Sequence, residues 1–179
     1  MLLAGCGSDK ATAPAQQPAS RESAGIEKAG SPEEGQKVDS FEIPKLVAEI
    51  RRAAKAETSG ERTEALGAAT KLISLGPQGE AAILNEMGHD SREVRYIAVL
   101  AIPPGTAGKF AVDALTEKLS DTDKDVRMMA ANALARIGKD ARSAIFHLKL
   151  ALKRETDLNV VRNMGSSLGR LEREAAEPE

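Results

Sequence analysis

The chain has 179 residues, which allows one folded domain with tails. Hydrophobic residues make up 41 % of it but aromatics only 2 %, so a core must be built from Ala, Leu, Ile, Val and Met, as closely packed helices permit. The net charge of −2 lies in residues 1–40, with 4 basic and 6 acidic residues against 21 of each in the rest, and a neutral domain lacks the basic footprint of a nucleic-acid binder.

The chain opens Leu3-Ala4-Gly5-Cys6. This resembles a bacterial lipobox, in which Cys6 becomes the lipidated first residue of the mature protein. Only five residues precede Cys6, none of them basic, whereas an export signal needs a charged start and an apolar core of ~7–15 residues. The resemblance therefore implies a start upstream of Met1, with residues 1–6 the end of a truncated signal. Cys6 is the sole cysteine, which excludes an intramolecular disulfide and a Cys-based zinc site. Residues 7–40 are rich in Ala, Pro, Gln, Ser and Gly and poor in large apolar groups, so a disordered tether is expected. Such a coil would have an r.m.s. span of roughly 30 Å.

From Phe41 the apolar pattern turns helical, and the folded part is expected to run over 41–174, with 175–179 a disordered tail. Four helix pairs are predicted: 44–57 with 60–75, 79–87 with 92–102, 107–119 with 124–137, and 141–153 with 158–174. Thr58-Ser59-Gly60-Glu61 has capping-box spacing at the start of the first pair's second helix. Gly76-Pro77, Pro103-Pro104-Gly105 and Gly138 punctuate the pairs. Ala82-Ile83, Ala111-Val112 and Ala144-Ile145 follow these breaks at similar distances, so the first helices repeat as well.

The second helices share a start rule. Ser91, Asp123 and Asp157 each lie three residues before Val94, Val126 and Val160, as N-caps ahead of the first inward residue. Val126, Ala130, Leu134 and Ile137 form one apolar stripe, matched by Val160, Met164, Leu168 and Leu171 and by Val94, Ala98 and Ile102. Val94-Arg95 recurs 32 residues later as Val126-Arg127, and Val160 follows 34 residues on, which leaves Arg162 out of register with the other two arginines. A fixed period in this range marks a stacked repeat whose units bury their apolar faces only against each other.

Asp125-Val126-Arg127, Ala130-Ala131, Ala133-Leu134 and Ile137-Gly138 resemble the HEAT-repeat superfamily, in particular the short HEAT-like repeats of phycobilisome lyase proteins. The resemblance implies an all-α fold, a short right-handed α-solenoid of about four helix pairs with its second helices on the concave side. It also implies a ladder of turn Asp and following Arg between repeats, which Asp121 with Arg127 and Asp90 with Arg95 would fill. A structural role for these arginines is therefore preferred to ligand contact.

Other chemistry is weakly encoded. Asp121-Thr122-Asp123-Lys124-Asp125 starts like an EF-hand loop, but Val126 occupies the position of the turn Gly and Asn132 that of the bidentate Glu. His89 and His147 lack the His-Glu pairing of a di-iron site, and His89 reads as a turn residue. Arg51-Arg52 reads as part of a solvated face. No catalytic residue, metal or cofactor is expected. The combined reading is a non-enzymatic scaffold that binds a protein partner through its helical surface, held at a bacterial membrane in the cell envelope by lipid on Cys6. If the lipobox is a coincidence, the protein is cytoplasmic. The rival reading is a bilin-lyase-like enzyme or enzyme subunit, and no nucleic-acid partner is expected.

Overall fold

The computed structural model describes residues 41–55, 58–105 and 108–176, all within the unit Lys37–Glu179. Cys6, the lipobox and the expected tether lie outside these residues. The described residues are helical: α1 Glu42–Ala53, α2 Ser59–Ser74, α3 Pro77–Glu86, α4 Arg92–Ala101, α5 Lys109–Lys118, α6 Lys124–Ile137, α7 Ile145–Arg154 and α8 Leu158–Ala176, with a 3-10 segment Gly138–Ala144 between α6 and α7. They pair as α1/α2, α3/α4, α5/α6 and α7/α8. The second helices α2, α4, α6 and α8 pack in sequence, and the first helices line the other side. This is the short α-solenoid expected.

The elements form for the local reasons read above, with four adjustments, the first being that α1 spans Glu42–Ala53 rather than the predicted 44–57. Gly76 adopts a φ of +82°, and Pro77 follows at the first helical position, so α3 starts two residues earlier than predicted. A Pro there gives up an N–H that would be unpaired anyway. Gly79, the expected start, instead lies inside α3 where a Cβ would run into the Leu72 carbonyl of α2. In the fourth pair the predicted single helix is split. Gly138, at φ +74°, ends α6, and the chain tightens into a 3-10 segment before α7. With three residues per turn, Gly138, Ala141 and Ala144 fall on one buried side. At the C-terminus α8 runs to Ala176, so Ala175 and Ala176 belong to the fold rather than to a tail.

The three stripes of the second helices form the core. Val94, Val126 and Val160 are buried, as are Ala98, Ile102, Ala130, Leu134, Ile137, Met164 and Leu171, while Leu168 is half-buried against them. Ala65, Ala68, Ala69 and Leu72 give α2 a similar face made largely of methyl groups. Ile83, Ala111, Val112 and Ala144 supply the opposing wall from the first-helix side. At roughly 25 cal/mol per Å² of apolar surface removed from water, small side chains stabilise only by packing in number, and a single pair could not do so alone.

Candidate functional site

Each second helix begins with a turn that offers its first-turn N–H groups and the carbonyls of the turn itself. The four caps differ in detail. Thr58 accepts from the Glu61 N–H at 3.4 Å, and its hydroxyl donates to the Glu61 carboxylate, a side-chain bond in place of the backbone bond that would complete a capping box. Asp123 accepts from the N–H groups of Asp125 and Val126, and Asp157 does the same for Asn159 and Val160. Ser91 holds the N-cap position without that bond; its hydroxyl donates to Glu93 at 2.8 Å.

Two residues before Ser91, Asp123 and Asp157 lies a second acceptor. His89 Nδ1 accepts the Ser91 N–H at 3.0 Å, Asp121 Oδ1 the Asp123 N–H at 2.9 Å, and Glu155 Oε1 the Asp157 N–H at 3.0 Å. The arginine of the preceding repeat grips the two carboxylates. Arg95 donates through Nε and Nη2 to Asp121 at 2.8 and 2.7 Å, and through Nη1 to the carbonyls of His89 and Asp90 in its own turn. Arg127 repeats the arrangement, forking onto Glu155 at 2.6 and 2.9 Å and holding the Asp121 and Thr122 carbonyls. Each guanidinium thus clamps its own turn and reaches forward to the next, using the planar fork that Lys lacks.

The environment sets the charge state. Burial opposes ionisation of Asp121, but the Arg95 fork and the Asp123 N–H outweigh it and hold its carboxyl below the ordinary range. Arg127 does the same for Glu155, against burial and with help from the Asp157 and Thr156 N–H groups. A second, more exposed rail runs alongside: Arg92 to Asp123 at 3.2 Å and Lys124 to Asp157 at 3.0 Å. Toward the other end of the second helices the links point backwards. Arg136 donates to the Ile102 carbonyl and Arg170 to that of Ala135, while Ser167 bonds Asn132.

The expected ladder therefore exists, but its pairing differs from the sequence reading. Asp121 joins the side chain of Arg95, not of Arg127, which takes only its carbonyl. Asp90 likewise contributes a carbonyl while its own side chain is exposed. Arg162 is exposed and stands outside the ladder, and Val161 occupies the place of Arg95 and Arg127. Glu155 was overlooked, although its offset of 34 residues from Asp121 and its place two before Asp157 carry the signal. Arg51 is a further correction: it is not simply solvated, but forks onto buried Glu86 at 2.6 and 2.8 Å. Arg52 does belong to the solvated face, with a loose contact to exposed Glu64.

Beside the rail residues Arg92 and Asp123, the second-helix surface has a depression of about 240 Å³ across α2, α4 and α6. Arg62 lines it from α2, Tyr96 and Ile97 from α4, and Asp125 and Met128 from α6. Arg62 has the same position relative to its cap as Arg95 and Arg127 have to theirs. It meets no carboxylate among the described residues, because His89 occupies the acceptor position in the next repeat.

The sequence pattern of the family described as HEAT repeats matches residues 80–169, half of the chain. The chain belongs to the HEAT-repeat family. The match spans both Arg–carboxylate rungs of this HEAT-repeat protein, whereas α1 and α2 lie outside it. No curated protein matches the chain.

Proposed function

We propose that this HEAT-repeat protein is a non-enzymatic interaction module that receives a protein partner on its second-helix face. HEAT repeats commonly mediate protein–protein interaction. The observation that carries the reading here is the depression between α2, α4 and α6, which combines Arg62, a cation with no carboxylate partner among the described residues, with the ring of Tyr96 and the adaptable side chain of Met128. Arg and Tyr are residues that anchor protein interfaces, and Met repacks against varied apolar surfaces.

A photo-crosslinker placed at Met128 tests this in the native host. A discrete adduct is expected there and not at exposed Phe110, and Arg62→Glu should reduce it at least tenfold. Equal labelling from both sites, or an adduct indifferent to Arg62→Glu, would sink the idea.

The second half of the proposal is a tether: lipid on Cys6 holds the domain at a bacterial membrane, in the cell envelope. No described helix is long and apolar enough to cross a membrane. Metabolic labelling with a fatty-acid analogue should mark the native protein and miss its Cys6→Ser variant. A native product that is unlabelled and recovered free of membranes removes the tether while leaving the binding face untouched.

A further inference from the structure

Helix α7 differs from the other first helices in what it turns outward. Leu148 is its buried anchor, with Ile145, Ala151 and Leu152 packed partly against the core. On the opposite side lie Phe146, 69 % exposed, and Leu150 one turn further on. Helical geometry places exposed Lys149 and Lys153 along one margin of this strip and exposed Arg154 along the other. Lys149 pairs with Glu172 at 2.6 Å, which keeps its stem beside the strip. Helix α7 carries no carboxylate at all. Its neighbour α5 also exposes a phenylalanine, Phe110, but sets it among mixed charge, with Lys109 paired to Asp113 and with Glu117 exposed, so that its acids balance its two lysines. A domain that is neutral overall thus gathers positive charge around one outward apolar strip.

We infer that the outer face of α7 docks on an anionic lipid surface, with Phe146 and Leu150 at the headgroup–acyl boundary and Lys153 and Arg154 among the headgroups, while Lys149 offsets the neighbouring Glu172. Long cationic side chains can lie along apolar surface while their charged ends reach polar groups, so a cationic margin beside an apolar strip suits this interface. Charge complementarity selects the occupant. The negative potential of anionic lipid attracts each nearby Lys or Arg, and the absence of acid on α7 removes the repulsion that Asp113 and Glu117 would impose on α5. The tether proposed above would bring the domain to such a surface, but the contact is a property of α7 and needs no lipid on Cys6.

The test uses the full chain carrying Cys6→Ser, sedimented with vesicles of phosphatidylglycerol and phosphatidylcholine or of phosphatidylcholine alone. Binding to the anionic vesicles should exceed that to the neutral ones by at least fivefold at low salt and fall as salt rises. Each cation near the surface is worth roughly fivefold in partitioning, so Lys153→Glu with Arg154→Glu should reduce it by roughly 25-fold or more. Phe146→Ala should weaken anionic binding while keeping the preference over neutral vesicles. Circular dichroism of both variants should match the parent, since these side chains are exposed. Equal sedimentation with both vesicle types, no sedimentation with the anionic ones, or an unaffected double charge reversal would overturn the inference. So would retention on DNA without vesicle binding. None of these results touches Cys6 lipidation or the Met128 adduct, so the proposals fail separately.

Discussion

The junction between the first and second helix pairs is stitched differently from the two that follow. At the later junctions a buried Arg–carboxylate fork, an exposed cation–Asp rail and a backward arginine-to-carbonyl bond recur, through Arg95, Arg92 and Arg136 in one case and Arg127, Lys124 and Arg170 in the other. At the first junction, Arg51 on a first helix meets Glu86 on the next first helix, and the equivalent ladder position, Arg62, is left open. His89 explains the forward gap, because its ring can accept the Ser91 N–H as a carboxylate would but offers no negative charge to a guanidinium. The difference teaches that one stacking geometry can be held by unlike bonds. Where the repeat releases a cation from structural duty, that cation becomes available to a partner.

The largest expected effect comes from cutting a rung. Arg95→Ala strands the buried Asp121 carboxylate and two turn carbonyls, and should cost about 3 kcal/mol in urea unfolding, whereas Arg62→Ala should change stability by less than about 0.5 kcal/mol. Equal costs would erase the distinction between the junctions.

Acid should act on the same rungs. Asp121 and Glu155 have folded-state pKa values below their ordinary ones, so their contribution is fully present above about pH 4–5 and is lost as pH falls through the depressed values. Asp121→Asn should therefore flatten the acid limb of a stability–pH curve, and an unchanged limb would refute the assignment.

At the first junction, Arg51→Ala should cost about 1–2 kcal/mol, less than Arg95→Ala because Arg51 is half-exposed and solvent weakens its pair with Glu86. Hydrogen exchange should show the loss spreading through α1 and α3 and leaving α8 protected.

The caps give a smaller contrast. Asp123→Ala should cost about 1 kcal/mol, since it removes two N–H acceptors and a partner of Arg92, while Ser91→Ala should cost a few tenths. Thermal unfolding of the two variants checks the order.

The smallest effect runs the other way. His89→Asp should supply the missing carboxylate and stabilise the first junction by about 0.5 kcal/mol, a typical gain for an exposed pair. The gain should vanish in an Arg62→Ala background. A double-mutant cycle without coupling would show that Arg62 does not occupy a ladder position in practice.

Much of this was legible along the chain. Val94, Val126 and Val160, the stripes that follow them, and the caps Thr58, Asp123 and Asp157 were read correctly, because helix period and N-capping involve residues within a few positions of one another. The split of the fourth pair's first helix was not, since buried Ala141 and Ala144 fit an α-helical stripe as well as a 3-10 one. Glu86 carried no warning of burial, because its partner Arg51 lies 35 residues away on another helix.

Sequence alone determined the period, the helical pairing and the inward residues, all consequences of local geometry repeated at a constant interval. Only tertiary structure decided which acid meets which arginine. A side chain as long as Arg can bond its own turn or the next repeat, and the stacking offset between helices chooses. That offset sent Arg95 to Asp121 and Arg127 to Glu155, while His89 in the matching position left Arg62 facing the groove.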